Sequence, residues 1–352
     1  DIKVFAPGRM QDRKIRRGGI RERKTRRRRP AINNRMNDRM NSTKIAVING
    51  GHSAEATVSR SSAKGVIEAL RENYDSVTNI ELDSKLATSL ADCNPDVVFP
   101  ILHGPPGEDG TLQGFLEILG YCYVGSDVHS SAFAMDKIVA KEVFRRVGLP
   151  VARQCVVSKA DGIANAIDMI TSELGENVVV KPACQGSAIG VTLIDNANQL
   201  RDGVSAAFEF DPRLLVEERI HGREITVGVI DTDTGTDPFP VIEITTPENS
   251  WYDFDHRYTP GLSEHLMPAK LPNEQLIALQ QIAVAAHQSL GCRDLSRADF
   301  IVTESDIYLL EVNTLPGMTP TSLYPDGASG YGLEFPELVK YLVDRAVKRK
   351  NN

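Results

Sequence analysis

Long apolar runs are missing from this chain of 352 residues. No run approaches the roughly 18 residues that a membrane span needs, and no signal-peptide-like segment precedes the first predicted strand. The cysteines are scattered without C-x-x-C spacing, which argues against a zinc site or a disulfide framework. They are Cys93, Cys122, Cys155, Cys184 and Cys292. We therefore expect a cytoplasmic protein that has no membrane partner.

Positive charge is scarce except at the start of the chain. Residues 1–42 carry 15 Lys/Arg and 4 Asp/Glu, a net charge of +11, without apolar periodicity. The remainder carries 25 Lys/Arg and 43 Asp/Glu, a net charge of −18. We predict that this arm is disordered. One interpretation is a nucleic-acid-binding or organelle-targeting segment. We prefer the other, in which translation begins at Met36 or Met40 and the arm results from a start assigned upstream. The acidic remainder argues against nucleic-acid binding by the folded part.

The length and the order of elements predict several domains. Lys44–Leu102 alternates strands and helices as βαβαβ, with Ser53 or Ser59 opening the first helix, which indicates a doubly wound parallel sheet. A small α+β unit follows, and then a unit with strands, a long polar loop and helices. The predicted ranges are an arm at 1–42, domains at 43–136, 137–218 and 219–352, and a lid loop at 246–268.

The segment from Ser296 to Asn313 has the period-2 pattern of a β-hairpin. If residues 304–306 form a three-residue turn, Asp299 lies opposite Glu311 and Arg297 lies opposite Asn313. Two facing carboxylates repel each other unless a cation lies between them. Oxygen ligands suit Mg²⁺ or Mn²⁺, which usually binds together with substrate phosphates. The alternative is a solvated polar face, which we consider weaker.

A lysine ends the apolar strand before a glycine-rich loop. Lys181 is costly if buried without a partner and suits a phosphate contact. The loop Gly186–Gly190 lets backbone N–H groups approach phosphate oxygens, although it is not a Walker A loop. Glu217 and Glu224 suit contacts to adenine or ribose, or else solvated strand positions.

A second loop, HGPPGEDGTLQG at 103–114, is rich in glycine, proline and acids. We interpret His103 as a functional residue near a phosphate or an anionic intermediate. We interpret Asp109 as a helix N-cap, because Asp accepts readily from the first free N–H groups of a helix.

Taken together, these motifs resemble the D-alanine–D-alanine ligases of the ATP-grasp superfamily. The resemblance runs from Lys44 to the C-terminal helix. It rests on GGHSAE at 50–55, HGPPGEDGTLQG at 103–114, MDK at 135–137, KPACQGSAIGV at 181–191 and EVNTLPGMTPTSL at 311–323. It implies an α/β fold, with an N-terminal doubly wound substrate domain followed by a two-domain ATP-grasp. It also implies peptidoglycan precursor synthesis and a homodimer.

The resemblance implies a role for each matching position. The expected ATP contacts are Lys137, Lys181, Glu217, Glu224 and Ser187. The expected ligands of two Mg²⁺ (or Mn²⁺) ions are Asp299, Glu311 and Asn313. A neighbouring Ala188, where the family usually has a second serine, removes one hydroxyl from the loop.

The same resemblance implies the chemistry on D-alanine. The carboxylate of the first D-alanine attacks the γ-phosphate of ATP, and the amine of the second attacks the resulting acyl phosphate. Glu55 and His103 match contacts to the first substrate, Ser322 and Leu323 to the second, and Arg297 and the Gly317 N–H to the oxyanion. Ser187 and Tyr258 match the partners that, with Glu55, tie the loop down over the site. Tyr258 also favours an amine as the second substrate. The alternatives are an ATP-grasp ligase for other amino acids and a nucleotide-binding regulatory protein.

Overall fold

The computed structural model describes residues 42–53, 55–247, 251–253, 256–257, 259, 261–319 and 322–350. The first sheet is parallel, with strand order β2-β1-β3. Its strands are Lys44–Asn49 (β1), Ser76–Glu81 (β2) and Val97–Ile101 (β3). Helices Ala56–Arg71 (α1), Leu86–Cys93 (α2), Thr111–Ile118 (α3) and Val128–Met135 (α4) follow these strands or close the unit.

Alternate residues of β1 are buried in two separate apolar clusters. Ile45 and Val47 belong to one cluster, and Ala46 and Ile48 belong to the other. Successive strand side chains point to opposite faces, so both faces of this sheet are covered. The predicted doubly wound sheet is confirmed.

The first helix does not begin at Ser53 or Ser59 as expected. It begins at Ala56, with Glu55 at the N-cap position. The buried Ser59 hydroxyl instead accepts from the Gly50 N–H at 2.7 Å and donates to the Ile101 carbonyl. It thereby links the ends of β1 and β3 and holds the turn that carries Glu55.

The second sheet is antiparallel, with strand order β4-β7-β5-β6. Its strands are Gln154–Ser158 (β4), Val178–Pro182 (β5), Thr192–Ile194 (β6) and Arg213–Glu218 (β7). Helix Lys137–Arg146 (α5) precedes them, and Ile163–Glu173 (α6) and Ala197–Ala207 (α7) contribute to their core. Val180 and Val216 lie in that core, which leaves Lys181 and Glu217, of opposite parity, for the other face.

The third sheet has six strands in the order β11-β10-β8-β12-β13, with β9 paired to β8. The strands are Arg223–Thr232 (β8), Gly235–Pro238 (β9), Ile242–Thr245 (β10), Glu264–Leu266 (β11), Leu295–Val302 (β12) and Ile307–Asn313 (β13). The helices are Asn273–Ser289 (α8), Leu323–Tyr331 (α9) and Phe335–Lys350 (α10). The expected lid loop at 246–268 is therefore not wholly irregular, since it contains β11.

The hairpin of β12 and β13 reaches the predicted pairing by a different route. Val302 pairs with Ile307, so the turn has four residues and not three. One extra residue, Leu310, then forms a bulge, beyond which Asp299 lies opposite Glu311 and Arg297 lies opposite Asn313. The bulge also places Leu309 in the apolar core, on the other side from Glu311.

No helix among the described residues is long and apolar enough to cross a membrane. The predicted domain boundaries at 43–136, 137–218 and 219–352 stay a prediction. Each of the three sheets is formed by a continuous stretch of the chain, and polar residues from all three meet at the candidate site.

Candidate active site

Glu55 lies where the first sheet meets the glycine-rich loop of the second. Glu55 is 4% exposed, and the Ser187 hydroxyl donates a hydrogen bond to its Oε1. A Cβ added at Gly104 would lie 3.3 Å from Glu55 Oε2, and one added at Gly186 would lie 3.5 Å from it. Two small residues therefore let two loops close around one carboxylate.

The loop that delivers Ser187 has an unusual backbone. Ser187 and Ala188 both have left-handed conformations, with φ of 47° and 58°. Such angles are uncommon for residues other than glycine and are found most often at binding and catalytic sites. The short turn is closed by a hydrogen bond from the Ile189 N–H to the Gly186 carbonyl at 3.0 Å.

The polar face of the hairpin holds Asp299 among donors. Arg297 binds it with two nitrogens at 2.8 and 2.7 Å. The Thr226 hydroxyl donates at 2.6 Å and the Asn313 amide at 3.0 Å. Burial opposes the charge on Arg297, but Asp299 raises the pKa of Arg297 above its usual value. The guanidinium therefore stays charged.

Glu311 faces the cations that the central part of the chain supplies. Lys137 Nζ lies 3.3 Å from its Oε2 and donates to the Gln185 carbonyl at 2.6 Å. Burial alone would raise the pKa of Glu311, but Lys137 first and Arg257 next lower it to about 2. Glu311 is therefore ionised at neutral pH.

The three expected metal ligands offer only oxygen atoms that suit a hard divalent cation. They are the carboxylates of Asp299 and Glu311 and the amide oxygen of Asn313, whose nitrogen is turned to Asp299. Within the described part of the chain, no cluster of three or more His, Cys, Asp or Glu residues is arranged to hold a metal. The trio fits Mg²⁺ only if a phosphate supplies further oxygen ligands, as is usual for this ion.

Glu217 is buried, so the alternative interpretation of it as a solvated residue at the strand end is wrong. It is 2% exposed, and its Oε2 lies 2.5 Å from Lys181 Nζ. Lys141 Nζ lies 2.6 Å from the other oxygen. Burial alone would raise the pKa of Glu217, but these two ammonium groups lower it to about 2. The carboxylate therefore joins two lysines, only one of which the sequence motifs indicated.

Glu224 lies at the start of β8, beneath part of the expected lid. Its Oε1 accepts from the Tyr252 N–H at 3.3 Å, and burial raises its pKa. The Tyr252 ring is buried beside Leu323, and Arg257 lies 4.6 Å from its centroid. Tyr258, the lid residue expected to be functional, lies outside the described residues.

His103 and Glu108 both follow β3. His103 is 8% exposed, and its Nε2 has no hydrogen-bond partner among the described residues. Burial lowers the pKa of His103 although Glu55 opposes this, so the imidazole is neutral at pH 7. Glu108 accepts from the Gly104 N–H at 2.6 Å, and burial, reinforced by Glu55, raises its pKa to about 8.

Sequence reasoning missed Glu108 and Lys141. Glu108 lines a small cavity together with Lys137, Glu311 and Asn313. Its loop was singled out, but only His103 and Asp109 received roles. The prediction that Asp109 is the helix N-cap is wrong, because Gly110 occupies that position in α3; the Asp109 carboxylate accepts from the Thr111 N–H at 2.9 Å. The available signal for Lys141 was its helical spacing of four residues from Lys137, which places both on one face.

The loop after β13 brings Gly317 against Ser322. A Cβ at position 317 would lie 2.9 Å from the Ser322 hydroxyl, so a larger residue would displace it. The Ser322 oxygen accepts from the Thr319 N–H at 3.1 Å and lies 2.7 Å from the Thr319 hydroxyl. Leu323 begins α9, a helix that the sequence reading did not predict.

Two family models match the chain. The model described as D-ala D-ala ligase C-terminus matches residues 143–344, and the one described as D-ala D-ala ligase N-terminus matches residues 80–126. This chain belongs to the D-alanine–D-alanine ligase family. The resemblance read from its motifs is thereby confirmed, together with the ATP-grasp fold that the family implies.

Individual members of the D-alanine–D-alanine ligase family are similar to this chain over nearly their whole length. A D-alanine–D-alanine ligase of Halalkalibacterium halodurans is 44% identical over 308 residues, 87% of this chain and 100% of the relative. That of Geobacter sulfurreducens is 43% identical over 309 residues, 87% of this chain and 95% of the relative.

Solved structures of the family superpose well on this chain. A Bacillus anthracis D-alanine–D-alanine ligase has a TM-score of 0.77 at 30% identity, covering 88% of this chain and 99% of that one. The same enzyme complexed with ATP has a TM-score of 0.74. The Enterococcus faecalis VanG D-Ala:D-Ser ligase has a TM-score of 0.74 at 31% identity, covering 87% of this chain and 99% of that one.

Proposed function

We propose that this protein is an ATP-dependent ligase that joins two D-alanine molecules into D-alanyl-D-alanine, releasing ADP and phosphate. The observation that carries the proposal is the Ser187–Glu55 hydrogen bond, which brings the glycine-rich loop to a buried carboxylate. Full-length similarity to D-alanine–D-alanine ligases supports the same reaction. The product is a peptidoglycan precursor, and the setting we propose is the cytoplasm.

The first step transfers the γ-phosphoryl group of ATP to the carboxylate of the first D-alanine. Glu55 binds the ammonium group of this substrate, and its burial makes that charge–charge contact strong. Lys137 and Lys181 bind the phosphates, Ser187 adds a contact to ATP, and Glu217 and Glu224 contact the adenine and the ribose. The product of the step is an acyl phosphate.

The second step forms the peptide bond. The amine of the second D-alanine attacks the acyl carbon, and phosphate leaves from the tetrahedral intermediate. Arg297 and the Gly317 N–H stabilise the oxyanion, and the neutral His103 lies near the first substrate. Ser322 and Leu323 receive the carboxylate of the second D-alanine.

Asp299, Glu311 and Asn313 are the residues that would hold Mg²⁺ or Mn²⁺, in two ions. Such ions neutralise charge on transferring phosphoryl groups. Because Arg297 and Asn313 donate to Asp299 here, metal binding requires these donors to move away from its oxygens. We also propose a homodimer, as expected for the family.

The second substrate has two candidates, D-alanine and D-serine. The VanG D-Ala:D-Ser ligase matches this fold about as well as the D-alanine enzyme complexed with ATP does, with a TM-score of 0.74 for each. A D-serine acceptor is therefore the second candidate. The presence of Tyr258 favours an amine over a hydroxy acid as the acceptor.

The test is phosphate release by the purified protein with ATP and Mg²⁺ across a panel of D-amino and D-hydroxy acids. We expect release that depends on D-alanine, with D-alanyl-D-alanine identified by mass spectrometry. Turnover with a different carboxylate–amine pair, and none with D-alanine, would instead establish the alternative ligase. ATP binding without turnover on any pair would indicate a regulatory protein.

A further inference from the structure

Lys141 is a buried lysine for which the proposed reaction provides no role. It lies on α5, one turn after Lys137, and is 1% exposed. A buried ammonium group is costly unless charged and polar partners compensate for the water that it has lost. Its partners therefore indicate what the fold gains from it.

The ammonium group of Lys141 contacts two other parts of the fold. Its Nζ lies 2.6 Å from Oε1 of Glu217 on β7 and donates to the Leu309 carbonyl on β13 at 2.7 Å. The other oxygen of Glu217 lies 2.5 Å from Lys181 Nζ. Lys141 thus connects its own helix, α5, with two other parts of the fold. One is β7, which pairs with the strand β5 that carries Lys181, and the other is the β12–β13 hairpin that carries Glu311.

The charges in this chain of contacts leave one cation in excess. Burial lowers the pKa of Lys141, and the Glu217 carboxylate, which Lys141 and Lys181 share, opposes that shift. With Lys141 protonated, two ammonium groups share one carboxylate, and the three groups together carry a charge of about +1. If Lys141 were neutral, Glu217 would compensate Lys181 alone, and no net positive charge would remain for a phosphate. Lys141 therefore keeps the charge of Lys181 available.

The second contact lies next to the bulge in β13. Leu309 is the last residue before the bulge, and its N–H donates to the Pro150 carbonyl at 2.8 Å. Because Lys141 donates to the Leu309 carbonyl, both the N–H and the C=O of Leu309 have hydrogen-bond partners outside the hairpin. Without the bulge, Leu310 would lie opposite Asp299, and Glu311 would turn towards the core, because a one-residue slip changes the face of a strand.

We propose that Lys141 is a positioning residue that sets the phosphate-binding Lys181 and the metal-binding Glu311 at the same time. The inference rests on the roles proposed above for those two residues. It predicts that nucleotide and metal affinity depend together on a side chain that contacts neither ligand.

The test compares Lys141→Met with a matched control, Lys159→Met. Lys159 also pairs with a glutamate, Glu209, at 3.4 Å, but it is exposed. Calorimetry with a non-hydrolysable ATP analogue should show a Kd for Lys141→Met raised about tenfold, and titration should show a higher Mg²⁺ requirement. The KM for D-alanine should change by less than about twofold, because the partners of Lys141, Glu217 and Leu309, are not among the residues proposed to bind D-alanine. Lys159→Met should match the wild type.

Two results would overturn the inference. One is wild-type nucleotide affinity and Mg²⁺ requirement in Lys141→Met. The other is an equal loss of affinity for nucleotide and for D-alanine, since that indicates general damage to the fold.

Further variants keep the inference testable if Lys141→Met does not fold. Lys141→Met combined with Glu217→Gln removes the buried carboxylate together with its buried lysine partner, so it should fold. Because the Leu309 carbonyl still lacks its donor, this variant should still require more Mg²⁺. A wild-type Mg²⁺ requirement there contradicts the inference. Normal nucleotide binding by Lys181→Met would instead contradict the role proposed for Lys181, and the inference about Lys141 would fall with it.

Discussion

Two glutamates that line one cavity, Glu108 and Glu311, have pKa values displaced in opposite directions. Lys137 and Arg257 outweigh burial at Glu311 and lower its pKa to about 2. At Glu108, burial and the nearby Glu55 raise the pKa to about 8. Glu311 is therefore anionic at neutral pH and suits metal binding, whereas Glu108 is largely protonated and suits donation of a hydrogen bond.

Glu311→Gln should abolish phosphoryl transfer, because the amide offers one neutral oxygen where the metal requires an anionic ligand. We expect D-alanine-dependent phosphate release to fall by at least about 100-fold, with a raised Mg²⁺ requirement for what remains. The matched control is Glu304→Gln, an exposed glutamate in the turn of the same hairpin. Near-normal turnover by Glu311→Gln would refute the metal assignment.

Glu108→Gln should change the pH dependence of stability. Because the pKa of Glu108 is raised to about 8, the folded chain holds a proton that the unfolded chain releases near the ordinary pKa of glutamate. Stability contributed by that proton is full at acidic pH and is lost as pH rises towards 8. The loss of unfolding free energy between pH 5 and pH 8 should therefore be about 2–4 kcal/mol smaller in the variant.

Urea unfolding at both pH values measures this difference, with Glu68→Gln, an exposed glutamate on α1, as the control. An identical pH dependence in wild type and Glu108→Gln would show that Glu108 titrates normally.

At the scale of single elements, the hairpin shows how a correct prediction can rest on an incorrect turn. Alternation in β12 and β13 identified the polar face, because it depends only on the strand period. The turn has four residues and the strand a bulge at Leu310, and the two deviations cancel at Asp299 and Glu311. Nothing in the local sequence marks the bulge, since its anchors, Lys141 and Pro150, are distant in the chain.

Ser59→Ala should destabilise the junction of β1, β3 and α1. It removes the acceptor of the Gly50 N–H and the donor to the Ile101 carbonyl, and leaves both groups buried. We expect a loss of about 1–3 kcal/mol in the free energy of unfolding, measured by denaturant titration. Ser62→Ala is the control on the same helix, because its buried hydroxyl has no hydrogen-bond partner among the described residues. Equal losses in both variants would contradict the role of Ser59.

At the scale of the whole molecule, the acidic remainder and the basic arm are expected to act independently. Residues 1–41 lie outside the described part of the structure, and the proposed site uses only residues from Glu55 onward. Deleting residues 1–42 should leave phosphate release and the KM values for ATP and D-alanine unchanged. Any salt-sensitive binding of the full chain to nucleic acid should disappear in the truncated protein, because the remainder has a net charge of −18. A large loss of ligase activity would give the arm a role in the reaction.

The sequence alone determined the fold class and the family and indicated most residues of the candidate site, because those depend on short motifs and on the period of apolar residues. It predicted the facing of Asp299 and Glu311 and the pairing partners of Arg297 and Asn313. Only the tertiary structure decided how distant loops meet. The Ser187–Glu55 contact, the raised pKa of Glu108 and the shared carboxylate of Glu217 all depend on burial and on charges that lie far apart in the chain.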